Sequence, residues 1–163
     1  MENLTGFIAE PPFCEGLETC YIDLLTSCAS NVRAEKDFYL FRDESEANHF
    51  YLIWEGKVAL ESVKPTGPSL IVETVAKGEL VGWSWLVPPY RWRFSARAVE
   101  PVRAIAVDGK CLRAKCEKNP HLDYELLKRT IEIVGQRLEA SRLRMLDLYS
   151  ADGQREPRFE FSG

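Results

Sequence analysis

The sequence predicts a mainly β domain with flanking helices, and three observations carry that expectation. Between Val32 and Val107 the chain breaks into short β-type runs, rich in β-branched and aromatic residues and bounded by Gly or Pro turns. Ahead of them Tyr21, Leu24, Leu25 and Cys28 recur at helical spacing, to about Ser30. Behind them, His121 to about Ser150 keeps a helical period without a break.

In chain order, Phe13-Cys-Glu-Gly-Leu17 reads as a turn into the first helix. Strands are then expected at Phe38–Phe41, His49–Trp54, Lys57–Val63 and Leu70–Ala76. Glu55-Gly56 makes the tight turn between the second and third of these, and Lys64 to Pro68 a longer loop before the fourth. Two more strands follow at Trp92–Ala98 and Val102–Val107, with Glu100-Pro101 as their corner. Asp108–Lys118 reads as a short helix with Asp108 as its N-cap, and Asn119-Pro120 breaks it. Residues 1–150 are expected to form one domain that includes the helix 121–150, and 151–163 a disordered tail.

Composition sets the bounds. A chain of 163 residues can bury a core without disulfides, and 28% charged residues suits a globular domain. The formal net charge of −4 does not suit a non-specific nucleic-acid binder. No run approaches a membrane span and the N-terminus lacks the charge and apolar core of a secretory signal, so a cytoplasmic protein with no membrane partner is expected. Cys14, Cys20 and Cys28 are spaced C-x5-C-x7-C across a helix, with Cys111 and Cys116 far away. Neither group is a tight metal-binding hairpin, so no metal site is expected and the thiols read as small buried hydrophobes. His49 and His121 are the only histidines, and neither sits in a motif with a nucleophile, so no catalytic residue and no enzyme activity is expected.

The stretch Gly78–Ala98, GELVGWSWLVPPYRWRFSARA, carries the most specific chemistry. A Gly-Glu turn leads into a brief helix start at Ser84, and Pro88-Pro89 stops it. The first N–H groups of such a helix have no internal partner and can point at an anion. With the hairpin HFYLIWEGKVAL and the run from Ala98 to Asp108, this layout resembles the cyclic-nucleotide-binding domains of the Crp/Fnr type. The resemblance covers about residues 11–149. It implies a double-stranded β-roll of jelly-roll type with an N-terminal helix and a long C-terminal dimerisation helix. It also implies a ligand-sensing regulator whose ligand is a cyclic nucleotide or another small anionic or aromatic molecule.

The same resemblance assigns the cassette. In that family the residue after the second cassette glycine, here Gly82, is a Glu that binds the ribose 2′-hydroxyl; Trp83 stands there. The phosphate would meet the backbone N–H groups of Ser84 and Trp85. The family's phosphate-pairing Arg falls at Trp92 and its following Ser or Thr at Ser95, while Arg91 and Arg93 flank the Arg position. Strand alternation puts Trp92, Phe94, Ala96 and Ala98 on one face and Arg91, Arg93, Ser95 and Arg97 on the other. With the apolar face inward the arginines point out, and only a bulge would turn Arg91 or Arg93 into the pocket. Losing both the carboxylate and the guanidinium removes charged hydrogen bonds of about 1.5–3 kcal/mol each, so cyclic AMP and cyclic GMP are expected to bind poorly. The two tryptophans either fill the cavity as core or form a platform for a flatter ligand.

On the last helix, Leu127, Ile131, Val134, Leu138, Ser141, Met145 and Leu148 are spaced 4, 3, 4, 3, 4, 3, an uninterrupted heptad seam that favours a homodimer. Ile133, Leu143 and Leu146 form a second stripe that could pack on the β-roll. In the resembled regulators this helix is the dimer axis and leads to a helix-turn-helix. Only 151–163 follow it here, so the expectation is a module without a DNA-binding domain or a nucleic-acid partner, acting through another protein. A structural module that has lost its ligand is the alternative, and a cysteine-based redox or iron–sulfur sensor a more distant one.

Overall fold

The computed structural model describes residues 3–62 and 66–151. Its helices are α1 (Leu4–Ala9), α2 (Thr19–Ser27), α3 (Gly109–Lys118) and α4 (Pro120–Ala151), with 3-10 helices at Pro12–Cys14 and Ser84–Leu86. The strands are β1 (Ala29–Ala34), β2 (Tyr39–Phe41), β3 (His49–Glu55), β4 (Val58–Ser62), β5 (Leu70–Val75), β6 (Leu80–Val81), β7 (Ser95–Ala98) and β8 (Val102–Asp108). They form two antiparallel four-stranded sheets in the orders β1-β8-β3-β6 and β2-β7-β4-β5, a β-roll of the expected jelly-roll type.

β8 explains how one sheet serves two cores. It lies between β1 and β3, with Ala29 opposite Val107 on one side and Leu52 opposite Ile105 on the other. Successive side chains alternate between the faces. Val102 and Ala104 join Phe41, Ile53, Val58, Trp92 and Ala96 in the roll interior. The other face of the sheet meets the N-terminal helices and the cassette. There Phe7 packs on Trp54 at 4.1 Å between ring centroids, Phe13 on Phe50 at 5.9 Å, and Phe50 on Trp85 at 5.0 Å.

Local signals place the joints. Gly56 turns β3 into β4 at φ +90°, where any side chain would strain the backbone and a Cβ would collide with the Pro101 carbonyl oxygen. Asp108 caps α3 as expected, its carboxylate accepting the Cys111 N–H at 2.9 Å.

Several expectations need correction. The first main helix stops at Ser27, because β1 already begins at Ala29 and pairs with β8. A separate α1 precedes it, capped by Asn3. The strand expected at Trp92–Ala98 begins only at Ser95; the chain bends at Arg93 and Phe94, so Phe94 is 40% exposed and does not share the inward face of Trp92. The cysteines are not all thiols. Cys28 and Cys111 form a disulfide with a Cα–Cα distance of 5.7 Å, while Cys14 and Cys116 are buried and Cys20 exposed. The cause is non-local: the β1–β8 register sets Cys28 beside Asp108, whose N–H donates to the Cys28 carbonyl at 2.8 Å. Val63 and the tail from residue 152 onward lie outside the described residues.

Residues to Leu126 form one compact unit and those from Leu127 a second. In the second unit Leu127, Ile131, Leu138, Met145 and Leu148 are exposed, as are Leu143 and Leu146 of the other stripe, while Val134 and Ile133 are half-buried. Among the described residues no helix is long and apolar enough to cross a membrane.

One charge is buried on the outer face of the second sheet. The Glu61 side chain is 1% exposed and takes the Arg97 guanidinium at 2.6 Å through Nη2 and 2.7 Å through Nε. The Tyr39 hydroxyl donates to its second oxygen at 3.4 Å. Asp37, on the solvent side of Arg97 at 2.8 Å, is largely exposed and contributes little. Removing the cation strands a buried carboxylate. Arg97→Met is therefore expected to lower stability by about 2–4 kcal/mol in urea unfolding, and adding Glu61→Leu to recover most of that loss. Equal loss in the single and double variants would show that the pair is not the source.

Candidate functional site

The cassette is a loop held at both ends. β6 pairs with β3 through Leu52 and Leu80, after which Gly82 at φ +90° turns the chain into the 3-10 helix Ser84–Leu86. A cis Pro88-Pro89 bond follows, and the returning arm is zipped to the loop between β2 and β3. Ala47 N–H donates to the Tyr90 carbonyl at 2.7 Å, Glu44 N–H to the Trp92 carbonyl at 2.9 Å, and Trp92 N–H to the Ser45 carbonyl at 3.0 Å.

Trp92 goes inside. It is 4% exposed and stacks on Phe41 with 3.7 Å between centroids and 11° between planes; Phe41 in turn stacks on Tyr51 at 6.1 Å. The far edge of its indole occupies the space over Gly82, where a Cβ would collide with the ring. Gly82 is thus needed twice, for its positive φ and for the room it leaves the indole. The position that the resemblance gives to a phosphate-pairing Arg holds an aromatic ring in the roll's own core.

The other cassette residues are spread over different surroundings. Trp83 stands 37% exposed just ahead of the 3-10 helix. Trp85 is buried on the opposite side of the first sheet, stacked on Phe50, and Ser84 between them is half-buried. Arg91 is exposed and donates to the Glu44 carbonyl at 2.8 Å; Arg93 is exposed. Ser95 is 2% exposed and its hydroxyl oxygen accepts the Asp43 N–H at 2.9 Å, fixing the β2–β3 loop. The structure therefore brings together Gly82 and Trp92, and separates Trp85, Arg91 and Ser95 from them.

Three contributors escaped the sequence reading. Phe41 provides the surface on which Trp92 stacks. Arg113 of α3 donates through Nη1 to the Trp85 carbonyl and lies 4.5 Å from the Tyr90 ring centroid, so it holds the cassette from outside. No local motif marks Arg113; only the packing of α3 against the cassette reveals it. The third is a cavity of about 360 Å³ between the edge strands β1 and β2. Its walls include Phe38, Tyr39, His49 and Tyr51, with the small side chains Ser30 and Ala106 beside them. The Tyr51 hydroxyl donates to the Leu40 carbonyl at 3.3 Å, and burial pushes this phenol above the usual tyrosine range, so it remains a neutral donor near pH 7. Among the described residues there is no group of three or more His, Cys, Asp and Glu side chains placed to hold a metal ion.

Comparison with known proteins agrees with this architecture. The chain is 27% identical over 107 residues to the anaerobic regulatory protein of Bacillus subtilis, covering 65% of this chain and 45% of that protein. It is 23% identical over 145 residues to the CRP-like cAMP-activated global transcriptional regulator of Mycobacterium tuberculosis, covering 89% and 63%. The chain thus spans about half to three-fifths of these relatives. Among solved structures, a cyclic nucleotide-binding domain from Methylobacillus flagellatus superimposes with a TM-score of 0.74 at 17% identity, over 88% of this chain and 81% of that one. The family model for the cyclic nucleotide-binding domain matches residues 31–119, a span that contains the hairpin at Gly56, the whole cassette and β8. With that match and the β-roll both in place, this chain belongs to the cyclic nucleotide-binding domain family.

Proposed function

We propose that this chain is a cytoplasmic regulatory module that works as a homodimer and does not use cyclic AMP or cyclic GMP in its cassette. The observation that carries this reading is Trp92, buried on Phe41 and pressed against Gly82. A cyclic phosphate entering there would have to displace a well-packed indole, and the flanking Arg91 and Arg93 are both exposed, Arg91 donating to the Glu44 carbonyl. Losing a buried Trp from a core costs about 3–5 kcal/mol, more than one charged hydrogen bond returns.

Ligand sensing of another kind fits the cavity between β1 and β2. At about 360 Å³ this open cleft lies within the usual range for small-molecule sites, and Phe38, Tyr39 and Tyr51 beside Arg33 and Glu35 suit a small aromatic molecule with a polar group. A module that acts only through protein contacts is the competing reading. A small aromatic molecule that co-purifies with the protein, found by mass spectrometry, would favour the first. The dimer is supported by the heptad seam on α4, most of whose apolar members are exposed in a single chain. A net charge of −4 favours a protein over a nucleic acid as the next partner.

Titration calorimetry is expected to show no binding of cyclic AMP or cyclic GMP at micromolar concentrations. Micromolar affinity for either would overturn the assignment and would require Trp92 to leave the core. In solution the chain is expected to be a dimer by light scattering. Leu138→Lys should shift it to monomer, because a closed seam cannot hold two facing ammonium groups. A wild-type monomer at micromolar concentration would remove the case for the seam.

A further inference from the structure

We propose that Cys28 and Cys111 form a thiol–disulfide exchange site whose redox state sets how firmly the cassette is held against the β-roll. The two residues are 83 positions apart in sequence and joined in space, Cys28 as the C-cap of α2 and Cys111 in the first turn of α3. The bond therefore ties one flank of α3 to the N-terminal helices. The other flank of the same helix bears on the cassette. Arg113, two residues beyond Cys111, donates to the Trp85 carbonyl and stacks on Tyr90. Gly109 sits so close to Trp85 that an added Cβ would lie 3.1 Å from the Trp85 Cβ. α3 is thus a short rigid link between a disulfide and the cassette.

The chemistry needs a dithiol as co-reactant. Cys111 is half-buried and Cys28 is 8% exposed, so Cys111 is the more open of the two to attack by an external thiolate. That thiolate forms a mixed disulfide there, and the Cys28 thiolate leaves with the bonding electron pair. The reductant's second thiolate then attacks its own bound sulfur, closes its own disulfide and expels the Cys111 thiolate. Both protein thiolates take up protons; the protein gains two electrons and the dithiol loses two. Cys116 does not compete for this bond. Burial, with Asp123 adding to it, pushes the Cys116 thiol up to about 11, which keeps it protonated and a poor nucleophile.

Reduction loosens α3 without releasing it. Lys115 still reaches the Leu24 carbonyl at 3.3 Å and the Ser27 hydroxyl, and the Asp108 N–H still donates to the Cys28 carbonyl. What is lost is the covalent limit on the first turn of α3, directly ahead of Arg113.

Alkylation in denaturant and hydrogen–deuterium exchange test this together. Air-oxidised protein should label at three cysteines, and protein treated with dithiothreitol at five. In the reduced form the amides of residues 83–87, 90 and 91 should exchange about tenfold faster, with the β-roll strands unchanged. A Cys28→Ser/Cys111→Ser variant should match the reduced form under both conditions. Arg113→Ala should exchange fast in both redox states. Labelling of all five cysteines in the oxidised protein, or equal exchange of the cassette in the two wild-type states, would overturn the proposal. So would faster exchange across every strand on reduction, which would make the bond a general structural staple. A redox difference that persists in Arg113→Ala would overturn the route through that side chain.

Discussion

The rest of this molecule is arranged around the packing of one indole between a strand and a turn. Trp92 lies on Phe41 from β2 and under Gly82 from the cassette, so a single ring joins both sheets and the loop between β6 and β7. Interiors pack at near-crystalline density, and a ring in this position cannot shift by an ångström without moving Phe41 or the backbone at Gly82. The main-chain bonds from residues 44, 45 and 47 to residues 90 and 92 fix the arm that carries the indole. The space enclosed by this loop is occupied by the protein's own side chain.

β8 supplies the second constraint. On the roll side it presents Val102, Ala104 and Ala106, and the small residues leave space: Ala106 borders the cavity between β1 and β2. Its opposite face, with Ile105 and Val107, supports the layer that buries Phe50 and Trp85. The end of β8 becomes the cap of α3, so the strand also decides where Cys111 and Arg113 stand. The polar network at Glu61 and Arg97 belongs to the outer face of the other sheet and has a different task. Its charge-assisted bonds lock β4 to β7, and Tyr39 ties β2 to the same carboxylate.

What the sequence revealed was local. Gly56 and Asp108 are read correctly because a positive-φ turn and an N-cap depend on the residue and its immediate neighbours. Trp92 does point inward as alternation expected, but main-chain bonds to Glu44 and Ser45 hold it there, not β7, and the alternation argument failed at Phe94. Alternation holds only where a strand is paired, and pairing of β7 begins at Ser95. The disulfide was missed for a deeper reason. No spacing rule connects Cys28 to Cys111; the β1–β8 register does, and register is a property of two strands at once. Arg113 was missed likewise, since its role is defined by the Trp85 carbonyl and the Tyr90 ring, both supplied by another segment.

A filled interior changes how a module of this family can be controlled. Where a ligand enters a cassette, its contacts bias two conformations by their difference in affinity for each. Here the inner surface of the cassette is held by Trp92, Phe41 and Gly82, a contact that any inward signal must first break. The outer surface is held by Trp85, buried against Phe50, and by Arg113 of α3. Arg113 gives one hydrogen bond to Trp85 and one ring contact to Tyr90, both from the first turns of a ten-residue helix. A change of a few kcal/mol suffices to move such a contact, whereas the inner packing involves the core itself. On the redox proposal, the adjustable contact of the cassette is the one that Arg113 makes from α3, and the packing of Trp92 on Phe41 stays fixed.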